Sequence, residues 1–218
     1  MNLILFYLLI NQIVCEDNNS KENQLITKEE IQQQQNEIKD KKTVFITGST
    51  GVMGTETLNE FCKHLNEFHL KLLVRPSKKN KKTMKNLLKK YSDNSIEVIW
   101  GDLLNYEDVL HGVKGSDYVL HIGGSVSPKC DLYPYLTYKT NVNGAKHIVD
   151  AVLAQKNKDE IKVCYIGSVA ETGNRNYPIH WGRTGDPIKI SIYDHYGISK
   201  VIAEQIFVES GIKNWVIF

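Results

Sequence analysis

Tyr196 and Lys200 stand four residues apart, so a helix through them projects a phenol and an ammonium from one face. A free tyrosine has a pKa of about 10 and exchanges protons poorly near neutrality. A neighbouring ammonium, aided by a second positive charge on a bound ring, favours the phenolate and makes it a usable acid/base. The same spacing also describes an ordinary surface helix. Ser168 adds a hydroxyl in Tyr165-Ile166-Gly167-Ser168, at the end of an apolar run. It could hold a substrate oxygen while a proton moves to or from Tyr196, or it could satisfy backbone groups of a turn. Ser168, Tyr196 and Lys200 are the candidate catalytic residues.

Far upstream, Gly48, Gly51 and Gly54 have the spacing GxxGxxG within Thr47-Gly48-Ser49-Thr50-Gly51-Val52-Met53-Gly54. Glycine permits unusual backbone angles and removes side chains that would block a pyrophosphate. A helix starting there turns its free N–H groups and positive dipole end toward the phosphates. The alternative is a glycine-rich turn without a ligand. The expected dinucleotide contacts here are Gly48, Thr50, Gly51, Val52, Met53 and Gly54. Arg75 lies at the end of the next apolar run, where an acid would bind a ribose 2′-hydroxyl. A guanidinium there can pair with a 2′-phosphate, so the expected cofactor is NADP, with NAD compatible. Asp102 and Leu103 follow the third run, where a carboxylate can accept a bond from the adenine amino group or cap a turn. Tyr196 and Lys200 complete the expected contacts, the lysine through the nicotinamide ribose, and a hydride would pass between substrate carbon and nicotinamide C4.

These groups need a scaffold. Residues 43–47 are a short β-branched run entering the glycine turn, as suits a strand buried on both faces. A helix is expected over 52–66, strands over 70–74 and 96–100, and a short helix over 106–111. A strand over 118–121, a long helix over 135–155 and a strand over 161–166 follow. A helix within 191–210 and a strand from 215 close the series. This alternation predicts an α/β fold with a doubly wound parallel sheet, the Rossmann fold, over residues 43–218. Right-handed crossovers place every strand's carboxyl end on one edge, where ligands bind.

From Thr43 onward the chain resembles the extended short-chain dehydrogenase/reductases, the NAD-dependent epimerase/dehydratase family. The residues that carry the resemblance are Thr47–Gly54, Asp102-Leu103, His121 with its small followers and Asn141-Val142-Asn143-Gly144. Ser168 and Tyr196-x-x-x-Lys200 with Ala203-Glu204 complete the set. The resemblance implies an NAD(P)-dependent oxidoreductase with Tyr196 as acid/base, including sugar-nucleotide epimerases and dehydratases that oxidise their substrate transiently. It also implies a small-molecule substrate with a carbonyl or hydroxyl, and homodimers through paired helices. Two departures stand out. Gly123-Gly124 replaces the family's usual Ala-Ala, and the sequence stops at Phe218, before the C-terminal lobe that shapes the family's substrate pocket. A truncated chain without that lobe points to a second reading, a nucleotide-binding module or pseudoenzyme without turnover.

The bulk properties agree with a globular domain. The chain has 218 residues, 41% hydrophobic and 24% charged, and its net charge of +2 makes no case for nucleic acid. Residues 75–90 hold one arginine, seven lysines and no acid, read as a solvated helix face. The four cysteines and seven histidines show no metal-ligand spacing or CxxC pair. Residues 1–15 form an apolar leader, too short to span a bilayer comfortably and of the length of a secretory signal core. No positive residue precedes it, so signal or anchor, with a reticulum or secretory location, stands against a cytoplasmic extension. Residues 16–42, with four consecutive glutamines, read as a disordered polar linker.

Overall fold

A computed structural model describes residues 41–91, 94–173 and 190–218; the apolar leader and the linker up to residue 40 lie outside them. Six parallel strands form one sheet in the order β3-β2-β1-β4-β5-β6. They are β1 (Lys42–Thr47), β2 (Phe68–Val74), β3 (Ile96–Trp100), β4 (Tyr118–His121), β5 (Lys162–Tyr165) and β6 (Asn214–Ile217). The helices are α1 (Val52–Phe61), α2 (Lys78–Lys90), α3 (Tyr106–Val113), α4 (Lys129–Leu132), α5 (Pro134–Tyr138), α6 (Gly144–Leu153) and α7 (His195–Val208). This is the expected Rossmann fold. The strand order reverses between β1 and β4, which opens a crevice at their carboxyl ends.

Alternate residues of β1 enter opposite cores, as strand pleating requires. Val44 and Ile46 pack with Leu58 and Phe61 of α1 and Met84 of α2. Phe45 packs on the other face with Val109 of α3, Ile148 of α6 and Phe207 of α7. Ser77 caps α2 by accepting from the Asn80 N–H at 3.1 Å, and Met84 is the buried residue of this otherwise lysine-rich helix.

The departures from expectation that reshape the fold lie in α1, β2 and the long helix. Helix α1 ends at Phe61 rather than near residue 66, because Lys63 and His64 donate to Glu60 and Phe61 in tighter turns. That turn brings Phe68 back edge-on to Phe61, 5.2 Å between ring centroids, and starts β2 two residues early. The long helix expected over 135–155 is interrupted by a π-helical turn, Lys139–Asn143, between α5 and α6. The wider turn carries Asn141, whose side chain serves partners outside the helix. A short element, α4, was not expected from the pattern.

Phe207 is fully buried and stacks on Tyr165 at 4.7 Å between centroids. Phe207→Ala is expected to lower unfolding free energy by about 3–5 kcal/mol, read as a lower urea midpoint with an unchanged m-value.

Candidate active site

The glycine turn after β1 is shaped by close backbone contact. Gly48 has φ +77, and a Cβ there would lie 2.6 Å from Gly123 Cα in the turn after β4. A Cβ on Gly54, in the first turn of α1, would lie 2.7 Å from the Gly48 carbonyl carbon. Both glycines are therefore required by space. Gly51 is the N-cap of α1 and has no side chain to accept from the first-turn amides. Val52 and Met53 are exposed beside it, Thr50 is half-buried, and the Ser49 hydroxyl is buried without a partner. A bare cradle, unspent helix amides and an orphaned hydroxyl fit the pyrophosphate of a dinucleotide.

Beneath the cradle, the Thr47 hydroxyl accepts from the Gly123 N–H at 3.1 Å and meets His121 Nδ1 at 2.8 Å. The histidine tautomer sets which of the two donates. Burial, with the nearby Lys200 charge, pushes the His121 pKa down to about 3, so the ring is neutral. It stacks on Tyr165 at 5.6 Å.

Arg75 is exposed directly after β2, and its carbonyl, accepting from Ser77 and Asn80, fixes the turn into α2. Asp102 follows β3 and accepts from the Leu104 N–H at 2.9 Å, so one of its oxygens already caps a turn. The Leu103 side chain is buried against Gly144 and its carbonyl accepts from His147 at 2.9 Å, which makes it chiefly a core residue.

The three candidate catalytic residues lie at the end of β5 and on the helix packed beside it. Ser168 follows β5 and opens a short 3₁₀ turn, Val169–Thr172, accepting from the Ala170 N–H at 3.2 Å. It thus fills the turn role, and its side chain also acts on that of Tyr196, favouring the phenolate. Asp194 caps α7 by accepting from the Gly197 N–H at 2.9 Å, which sets Tyr196 in the first turn. Lys200, one turn on, is buried and donates to the Ile166 carbonyl, with its Nζ 4.1 Å from the centre of the Tyr165 ring.

The electrostatics differ from the sequence expectation. Burial raises the Tyr196 pKa, only partly opposed by Ser168, so the phenol stays protonated here. Lys200 does not drive it toward phenolate, because its ammonium is turned to the Ile166 carbonyl. Desolvation lowers the Lys200 pKa to about 8, opposed by Glu171 and Glu204.

Comparison with known proteins decides the family. The model of the NAD dependent epimerase/dehydratase family matches residues 44–214. The chain belongs to that family. UDP-glucose 4-epimerases of Rickettsia akari and Rickettsia prowazekii are each 30% identical over 118 residues, 53% of this chain and 34% of theirs. The chain thus spans about a third of the length of these curated relatives. The structure of the UDP-Glc/GlcNAc 4-epimerase from Campylobacter jejuni superimposes with a TM-score of 0.67 at 20% identity, covering 81% of this chain and 52% of that one. The Thermus thermophilus UDP-glucose 4-epimerase complex with NAD gives 0.62 at 17%, covering 80% and 53%. At such identities the likeness concerns the fold.

Two functional groups were not singled out individually from sequence. Asn141 accepts from the Ser125 N–H at 2.7 Å and donates to the Ser125 carbonyl at 3.1 Å and the Ser199 hydroxyl at 2.8 Å. Ser199 donates in turn to the Tyr196 carbonyl at 2.8 Å. Asn141 therefore ties the turn after β4 to the helix that carries Tyr196; its place in an Asn-Val-x-Gly motif was the only signal. Glu171, buried on the 3₁₀ turn, carried none. Among the described residues no group of three or more His, Cys, Asp or Glu is placed to hold a metal, and no helix is long and apolar enough to cross a membrane.

Asn141→Ala leaves the buried Ser125 backbone groups without those partners. We expect it to cost about 2–4 kcal/mol, measured by denaturant unfolding, and to loosen amide-exchange protection in the first turns of α7.

Proposed function

We propose that this chain binds NADP, with NAD as the weaker alternative, along the carboxyl edge of the sheet and supports hydride transfer with Tyr196 as acid/base. The observation that carries the reading is the placement of Ser168 and of the capped helix bearing Tyr196 and Lys200 on the same sheet edge as the glycine cradle. Gly48, Gly51 and Gly54 would hold the pyrophosphate, Arg75 a 2′-phosphate, and Asp102 the adenine amino group. Lys200 would turn from the Ile166 carbonyl to the nicotinamide ribose. When bound, the nicotinamide supplies the hydride donor or acceptor.

The chain's own groups supply the rest. Ser168 donates a hydrogen bond to the substrate oxygen and so orients the carbon that bears the hydride. Tyr196 takes the hydroxyl proton as that oxygen becomes a carbonyl, and returns it in the reverse step. Removing that proton requires the phenolate, which positive charge at the site favours against the burial that holds the phenol neutral. The substrate class proposed is a sugar nucleotide, because the relatives are named for UDP-glucose and the family for epimerases and dehydratases.

Two measurements check this. Tyr196→Phe is expected to reduce hydride transfer by about 100-fold or more while leaving cofactor binding by calorimetry nearly unchanged. Binding with no Tyr196-dependent transfer across a carbonyl and sugar-nucleotide panel would instead favour a nucleotide-binding module. Arg75→Ala is expected to weaken NADP by about tenfold or more and NAD much less; equal loss for both would refute the role given to Arg75.

A further inference from the structure

Behind Lys200 lies a pair of acids that the reaction above does not use. Glu171 is only 6% exposed, on the 3₁₀ turn that Ser168 opens. Its N–H donates to the Ser168 carbonyl at 3.1 Å, so its backbone is fixed to the residue that acts on Tyr196. One carboxyl oxygen, Oε1, is buried with no hydrogen-bond partner, and packs 3.3 Å from where a Cβ of Gly167 would stand. The turn that bears it packs on α7, the helix of Glu204, and the two carboxyl groups act on each other there. Glu204 is one turn beyond Lys200 on α7, so Tyr196, Lys200 and Glu204 form a stripe that the Ser168–Glu171 turn lies against. Two carboxylates are both acceptors and cannot bond to each other. They bond only when one carries a proton.

Resting on the function proposed above, we infer that Glu171 is a positioning residue that carries the shared proton of a Glu171–Glu204 pair and thereby controls the charge next to Lys200 and Tyr196. With that proton in place the pair carries a single negative charge beside the single buried ammonium. If Glu171 ionises, its charge stabilises the ammonium of Lys200 and opposes ionisation of Tyr196 and of the neighbouring Tyr165. The groups facing it are Lys200, Glu204 and Tyr196 on α7 and Tyr165 on β5. A neutral Glu171 therefore favours the phenolate that proton abstraction needs. Its loss of a proton closes the site from the alkaline side.

The physical signature is separable from turnover. Burial and Glu204 raise the Glu171 pKa from 4.5 to about 8, with Lys200 opposing. The folded protein then holds a proton that the unfolded chain releases, so this group's contribution to stability falls as pH rises from 4.5 toward 8. His121, pushed down from 6.5 to about 3, gives the opposite slope below 6.5. The range from 6.5 to 8 is therefore where Glu171 is read.

The experiment compares wild type, Glu171→Gln and Glu204→Gln, full-length and without cofactor. Urea midpoints are measured across that range, and Tyr196 is followed by ¹³C-tyrosine NMR, assigned with Tyr196→Phe. Wild type is expected to lose stability as pH rises, Glu171→Gln to lose that slope, and Glu204→Gln to reduce it, since burial of Glu171 remains. The Tyr196 signal is expected to titrate at lower pH in Glu171→Gln. Should one variant fail to fold, the other carries the test. Unchanged slopes, or a Tyr196 titration that does not move, overturn the assignment. If the cofactor-free protein shows these shifts but no hydride transfer is found, the pair stands and the proposed reaction fails. If transfer is found, its alkaline limb should move to higher pH in Glu171→Gln, with kcat changed more than KM.

Discussion

The close approach of Gly48 to Gly123 is the contact on which the site depends. It occurs where the strand order reverses, so two chain segments leaving adjacent strands must diverge toward opposite faces of the sheet. A side chain at either point would separate them. Thr47 locks the contact from below, accepting from Gly123 and contacting His121 in a buried pair. With this seam closed, the first turn of α1 is aimed over the edge of the sheet. The crevice then runs from the glycine cradle past the turn after β4 to the Ser168 turn. Asn141 secures the far wall, because it bonds both to the turn after β4 and to α7.

The site is also where the fold tolerates groups that burial disfavours. His121, Lys200 and Glu171 are all largely withdrawn from water, and the Lys200 charge is felt by His121 and held by Glu171. The signs of their contributions differ. The stability associated with His121 is present above pH 6.5 and is lost as pH falls toward 3. That of Lys200 is complete only above 10.5 and is lost as pH falls toward about 8, so its buried ammonium costs stability at neutrality. Glu171 acts in the other direction. Such opposed shifts in a cleft are characteristic of sites that move protons, since a core evolved for stability alone would replace these groups with apolar ones. Tyr165 and Phe207 provide the rigid aromatic platform on which Lys200 rests.

The parts legible in the sequence were those with local causes. Strand and helix alternation follows from hydrophobic periodicity, and it led to the correct sheet. The glycine turn and the Tyr196–Lys200 spacing are likewise local patterns. Ser168 was legible because it ends a strand. What escaped were groups whose role comes from distant partners. Thr47 and Gly123 are far apart in the chain, as are Asn141 and Ser199, and no local pattern pairs them. The π-helical turn could not be read either, because the partners of Asn141, Ser125 and Ser199, are distant in sequence and meet it only in the folded chain. Glu171 looked like one more polar residue after a strand, and only packing reveals that it is buried. Leu103 shows the converse, a motif position whose side chain belongs to the core.

The central claim is that one edge of the sheet seats a nicotinamide dinucleotide with its reactive ring beside Ser168 and Tyr196. A crystal structure of the protein grown with NADP tests it most directly. The account predicts the pyrophosphate against the amides of Val52 and Met53, the 2′-phosphate at Arg75, and the nicotinamide facing Tyr196. Lys200 should have left the Ile166 carbonyl for the ribose. A dinucleotide bound elsewhere, or seated in the cradle with its nicotinamide directed away from Tyr196, would contradict it.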